Sequence, residues 1–266
     1  MLSRLLAALV GLAIILPALI WGGPIAADIV VGLVLLIGID EYAGMAFPER
    51  RAWALAGLVP VGLGFYLAVI YGPPGSVMAT SVLGALLLMV MVLFRREPVD
   101  DAADAVARLV LGVVWIPALL VFLPLVRRVE HGIAWIFLVL AITWLGDTGG
   151  YFAGRFFGKH KLYPKVSPKK TWEGVAGGVA LAVVGAFIVR AVGLPDLTVA
   201  ECVALGVVLD LLGVVGDLVE SLLKRSFGVK DSGWIMPGHG GILDRIDGLL
   251  FTVPVLYLYL WVSRGV

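Results

Sequence analysis

Residues 77–94 read VMATSVLGALLLMVMVLF, a run without one charged side chain. A helix rises 1.5 Å per residue, so a run of this length crosses most of the ~30 Å hydrocarbon core of a bilayer. The same pattern recurs on both sides of it. Working outward, apolar segments cover roughly Leu5–Trp21, Ile25–Ala43, Ala52–Tyr71, Leu109–Val126, Ile133–Ala153, Gly174–Val192, Val199–Val215 and Ile246–Val262. Turn-forming residues separate several of them: Gly22-Gly23-Pro24, Pro48, Gly72-Pro73-Pro74 and Pro195.

Composition agrees. Of 266 residues, 61% are hydrophobic and 15% charged, with a mean hydropathy of +1.05. A soluble domain is about 45–50% apolar and about 25% charged. There is too little polar surface here to cover a globule, which excludes one or two soluble domains. The expectation is an all-α polytopic integral membrane protein of about nine transmembrane helices. Residues 1–130 would hold about five spans. Residues 131–266 would form a C-terminal catalytic region with polar loops at 147–174 and 216–247. The first run resembles a cleaved signal peptide. A second apolar run after only a Gly-Gly-Pro turn suits a helical hairpin better. The single cysteine, Cys202, allows no internal disulfide, and the net charge of +1 gives no overall attraction for nucleic acid.

Charge placement sets the orientation. With nine spans, all 20 Lys and Arg residues except Arg127, Arg128, Arg190 and Arg264 fall on the N-terminal side. Cationic loops remain cytoplasmic. The N-terminus is therefore expected in the cytoplasm, in a multi-pass protein of the cell's inner (plasma) membrane. Gly174, Gly178 and Ala182, four residues apart, would allow close helix approach.

The two polar loops lie on that cytoplasmic side. The first reads DTGGYFAGRFFGKHKLYPKVSPKKTWEG from Asp147 to Gly174. A basic anchor for anionic lipid heads would explain its cations. It would not explain the interleaved Ser167, Thr171, Trp172 and Glu173. Hydroxyls, cations and glycines together suit phosphate groups. The second loop reads GDLVESLLKRSFGVKDSGWIMPGHGGILDRID from Gly216 to Asp247. At helical spacing Asp217, Glu220 or Ser221, and Lys224 share a face, with Asp210 two turns deeper. A carboxylate that deep in a membrane is costly and should meet a cavity or a partner. Asp244 and Asp247 sit where the last span begins, a position that also suits simple helix capping.

Carboxylates mixed with Lys and Arg are what phosphoryl or nucleotidyl transfer needs. Mg²⁺ takes one or two carboxylates and fills its octahedron with waters and phosphates, while cations hold phosphate oxygens and offset charge on a leaving group. Of the three histidines, His131 and His160 read as interface and solvated residues. His239, between two glycines, reads as a substrate or proton-relay contact. Three His and one Cys make no zinc site. GxxxxGK[ST], GxSxG and HExxH motifs are missing, as is the carboxylate pattern of CDP-alcohol phosphotransferases.

Ser221-Leu-Leu-Lys224-Arg225, Lys230-Asp231-Ser-Gly233 and Pro237-Gly-His239-Gly-Gly-Ile-Leu-Asp244-Arg245-Ile-Asp247, in that order, resemble the signature of phosphatidate cytidylyltransferases. The upstream Ser167-Pro-Lys-Lys170-Thr171-Trp-Glu173-Gly element resembles that family too. Met236 departs from it by an apolar exchange. The likeness covers the C-terminal half; the first four spans share only hydrophobicity.

The resemblance implies transfer of the cytidylyl group of CTP to phosphatidic acid, with Mg²⁺ and a second cation left open. It implies Asp217, Asp244, Lys224, Arg245 and His239 as catalytic residues, and Asp217, Asp244 and Asp247 as metal ligands. Ser167, Lys170, Thr171, Glu173, Arg225, Lys230, Asp231 and Asp147 would bind substrate. It suggests a homodimer among membrane lipids, with the site facing the cytoplasm and no nucleic-acid partner. The rival readings are a transporter using Asp210, Asp217 and Asp244 as a cation path, or another lipid-head phosphotransferase.

Overall fold

The structure is a computed structural model describing residues 17, 20–95, 99–233 and 240–266. Among these, eight helices are long and apolar enough to cross a membrane. They coincide with eight of the nine expected spans; the other, Leu5–Trp21, lies almost wholly outside the described residues. The chain divides into two compact units. One comprises the described residues up to Pro124 with Asp231–Leu243, and the other comprises Leu125–Lys230 with Asp244–Val266. The sequence reading had grouped residues 231–243 with the C-terminal half.

The first unit begins with α1 (Gly23–Ala46), α2 (Arg51–Tyr71) and α3 (Ser76–Leu93). The next span is broken into α4 (Ala102–Trp115), α5 (Pro117–Leu120) and α6 (Phe122–Arg128). Pro117 brings the first break, because its ring and missing N–H interrupt the helical ladder. Leu35, Ile39, Leu58, Leu109 and Ile116 fill the core. Tyr42 crosses it, donating its hydroxyl to the Arg108 carbonyl at 2.7 Å and setting its ring edge-on to Trp115. The segment 231–243 joins this unit through Glu41 of α1. That carboxylate is buried and accepts from the Ser232 hydroxyl and the Ile242 and Leu243 N–H groups.

The second unit holds α7 (Gly132–Phe157), α8 (Trp172–Gly193), α9 (Val199–Ser226) and α10 (Leu243–Arg264, from Asp244 on). Between α7 and α8 the basic loop folds as an antiparallel ribbon, β1 (Lys161–Tyr163) with β2 (Ser167–Thr171). This is the one strand pair among the described residues of an otherwise helical chain. Thr171 ends the ribbon and opens α8, its hydroxyl accepting from the Gly174 N–H at 3.1 Å. Thr198 and Glu201 form a reciprocal capping box at the start of α9.

The α7–α8 pair meets backbone to backbone, as the small-residue spacing suggests. A Cβ at Gly149 would overlap the Gly177 carbonyl oxygen, one at Gly177 would overlap Ala153, and one at Gly185 would stand 3.0 Å from the Ala141 oxygen. Backbone cannot retreat as a flexible side chain can. Gly149→Ala is therefore expected to destabilise the protein by about 1–3 kcal/mol, read as a lower thermal midpoint in detergent micelles. Val184→Ala, on the outer face of α8, should change it by less than about 0.5 kcal/mol. The α9–α10 crossing follows the same rule, because a Cβ at Gly216 would lie 2.6 Å from the Asp247 oxygen.

Candidate active site

In the second unit the helices α7, α8, α9 and α10 and strand β2 surround a cavity of about 610 Å³. Its size is in the range of small-molecule sites. Each wall is one helical face. From α7 come Thr143, Asp147, Gly150 and Gly154, spaced three and four apart; from α9 come Asp210, Gly213, Val214 and Asp217. The first two turns of α10 add Asp244, Arg245, Asp247 and Gly248, and β2 adds Ser167, Lys169, Lys170 and Thr171. Glycines at 146, 150, 174, 178, 213 and 248 line much of the remaining wall, so backbone stands close to anything bound there.

Carboxylates and cations interlock around this space. Lys170 Nζ lies 2.8 Å from Asp217 Oδ2, and the Ser221 hydroxyl donates to Asp217 Oδ1 at 3.2 Å. Lys224, itself buried, donates to Asp244 Oδ1 at 2.5 Å and to Glu220 Oε2 at 2.7 Å. Asp247 accepts from its neighbour's Gly248 N–H at 2.8 Å. Arg155 leans on Tyr151, donating to its hydroxyl at 2.7 Å. Asp210 stands deepest, 4% exposed, with Oδ2 buried and without a hydrogen-bond partner. A Cβ at Gly146 would overlap its Oδ1 and one at Gly178 would be 3.1 Å from Oδ2. Two glycines thus make room for this acid.

A model of the cytidylyltransferase family matches residues 2–263. The chain is 47% identical over 131 residues to the phosphatidate cytidylyltransferase of Bacillus subtilis, covering 49% of each chain. It is 48% identical over 139 residues to that of Haemophilus influenzae, covering 50% of this chain and 48% of the relative. Against that of Staphylococcus saprophyticus it is 33% identical over 267 residues, 97% of this chain and 98% of the relative. The chain belongs to the cytidylyltransferase family. It spans about half the length of the first two relatives and nearly all of the third.

The cavity gathers Asp217, Asp244, Arg245, Asp247, Asp147, Ser167, Lys170 and Thr171 of the expected site residues. Lys224 reaches it through Asp244. Other expected residues lie elsewhere. Glu173 ties down the base of the ribbon, accepting from the His160 backbone N–H and lying 2.6 Å from His160 Nδ1. His160 remains exposed, as its place in a basic run suggested, with Glu173 as an added partner. Arg225 is exposed and donates to the Val229 carbonyl at 2.9 Å. Lys230 and Asp231 are exposed and do not line the cavity. His239 lies outside the described residues. Sequence reasoning left Lys169, Arg155 and Thr143 unassigned, and gave Asp210 a role only in the rival reading of a cation path. The signal for Asp210 was there, since a carboxylate two turns into an apolar helix needs such a cavity.

Among the described residues no group of three or more His, Cys, Asp or Glu side chains is arranged to hold a metal ion. Mg²⁺ asks for only one or two carboxylates when phosphates supply the rest. Of the expected ligands, Asp247 is held by no ion pair among the described residues, whereas Asp217 pairs with Lys170 and Asp244 with Lys224; Asp147 and Asp210 add further unpaired acids beside them. A cation entering with a triphosphate would meet surplus negative charge.

Proposed function

We propose that this protein transfers the cytidylyl group of CTP to phosphatidic acid, giving CDP-diacylglycerol and pyrophosphate. One observation carries the reading beyond the family match. Acids from α7, α9 and α10 face cations from β2 and α10 across a single cavity at one end of these helices. A water-soluble triphosphate and a membrane lipid can meet there. Nearly all the Lys and Arg residues fall on that side by the positive-inside rule, which favours a site facing the cytoplasm, in the inner membrane. The homodimer implied by the family resemblance is part of this reading.

In the reaction an oxygen of the lipid phosphate attacks the α-phosphorus of CTP. A new P–O–P linkage forms, the bond to the β-phosphate breaks, and pyrophosphate takes the electron pair. The lipid phosphate is already anionic, so no strong general base is required. Positioning and charge neutralisation carry the rate. Lys169, Lys170 and Arg245 neutralise phosphate oxygens, with Arg155 at the mouth. Gly150 and Gly174 let the phosphates come close to the helix surfaces because no side chain intervenes. Asp217, Asp244 and Asp247 would hold Mg²⁺, which supplies Lewis-acid stabilisation of charge on the phosphates. Lys224 holds Asp244 in place.

The test is direct. Purified protein is incubated with phosphatidic acid, Mg²⁺ and CTP labelled at the α-phosphate, and the lipids are extracted. Label is expected in the lipid phase, and chelation of the divalent cation should reduce it to background. Label that stays in the aqueous phase would overturn the assignment.

A further inference from the structure

Glu41 has a place that neither the signature motifs nor the cavity explains. It lies in α1, an apolar helix, and is 6% exposed. A buried carboxylate in a membrane helix is expensive unless it is matched. Here it is matched by backbone. Oε1 accepts from the Ile242 N–H at 2.8 Å, and Oε2 accepts from the Leu243 N–H at 3.0 Å and from the Ser232 hydroxyl at 3.2 Å. Two glycines close around it. A Cβ at Gly233 would stand 2.6 Å from Oε1, and one at Gly241 would overlap Oε2. One carboxylate therefore holds Ser232 as well as the backbone at Ile242 and Leu243.

Leu243 is the first residue of α10, with Asp244 in its first turn and Asp247 at the start of the next. First-turn N–H groups lack intrahelical partners, and a negative charge there also gains from the helix dipole. An anchor on the N–H groups of residues 242 and 243 decides where the helix begins. A start displaced by one residue would rotate every following side chain by about 100°. That would turn Asp244 and Asp247 away from the cavity.

We propose that Glu41 is a positioning residue for the transfer. It fixes the start and rotational setting of α10, and through them the two carboxylates that follow. It acts through the helix and not on the reacting atoms. The catalytic part of this proposal rests on the function proposed above, so its test uses two independent readouts on the full-length protein in micelles.

The first is amide hydrogen exchange of Glu41→Gln. Gln keeps the shape but replaces one accepting oxygen with an NH₂ group facing backbone donors. Exchange at Ile242 and Leu243 is expected to rise about 10-fold while α7–α9 stay as protected as in the wild type. The second is steady-state kinetics. We expect kcat to fall about 100-fold, as for a catalytic group displaced by about 1 Å, with KM for CTP changed less than about 3-fold. Glu41→Asp, which keeps the charge, should recover part of kcat. Gly241→Ala, which crowds Oε2, should reproduce the loss.

Unchanged exchange at residues 242 and 243 would overturn the positioning role whatever the kinetics show. Altered exchange with wild-type kcat would overturn its bearing on catalysis. A loss matched by general deprotection of α7–α9 would make Glu41 a plain stability residue and overturn the proposal. If the wild-type protein transfers no label, the functional reading fails while the exchange result still judges the anchor.

Discussion

Asp244→Asn is expected to lower kcat/KM for CDP-lipid formation by about 10³-fold or more while leaving the protein inserted and folded. The amide has the carboxylate's shape but not its charge. Asp244 lines the cavity and is held at 2.5 Å by Lys224 Nζ. In the mutant it would no longer offer an anionic ligand, and the charge preorganised around the triphosphate would be lost. Removing one preorganised electrostatic group of this kind costs about 10²–10³, and loss of a metal ligand adds to it. Folding should survive because Lys224 keeps Glu220 at 2.7 Å. The comparison needs label transfer into lipid alongside thermal unfolding in the same micelles. Wild-type transfer by Asp244→Asn would remove Asp244 from the metal set.

Lys224→Met should behave differently, losing stability and activity together. The Lys224 side chain is 9% exposed and bridges Glu220, at 1%, and Asp244, at 10%. Its removal leaves two poorly hydrated carboxylates near each other with their shared cation gone. Breaking a buried pair in this way costs about 3–5 kcal/mol, or roughly 10 °C in thermal midpoint for a chain of this size. Glu220 makes the case sharper, since its Oε1 is already buried without a partner. Adding Glu220→Gln to Lys224→Met should restore much of the midpoint by removing one stranded charge. It should not restore transfer, because Asp244 would still lack its holder. A Lys224→Met protein that melts like the wild type would show that water reaches this triad.

The spans were legible because the bilayer imposes one rule on every residue that faces it. Runs such as residues 77–94 can be read without knowing any contact. The acids at 147, 217, 244 and 247 were legible for a related reason, as charges at membrane depth or at helix starts need a purpose. Three things were hidden. The ribbon at 161–171 is short, and its pairs Lys161 with Thr171 and Tyr163 with Ser167 carry no alternating apolar pattern. Glu173 sits in a family-like stretch, yet its contacts are to His160, a local tie invisible to spacing. Glu41 is about 200 positions from the backbone it holds, and an acid in an apolar helix gives no hint of its partner. Local periodicity reports what a helix faces on average. It does not report which distant N–H a carboxylate will find.

The glycine seam between α7 and α8 also bears on how this sequence can drift. On one face of each helix, at Gly149 on α7 and at Gly178 and Gly185 on α8, a single added methyl meets a neighbour's backbone or side chain. On the other, Trp144, Phe152, Val184 and Ile188 are about half exposed and look out from the fold. Substitutions should therefore accumulate with a helical rhythm. One stripe stays fixed at the smallest residue, while the opposite stripe exchanges freely among apolar shapes that lipid chains can mould around.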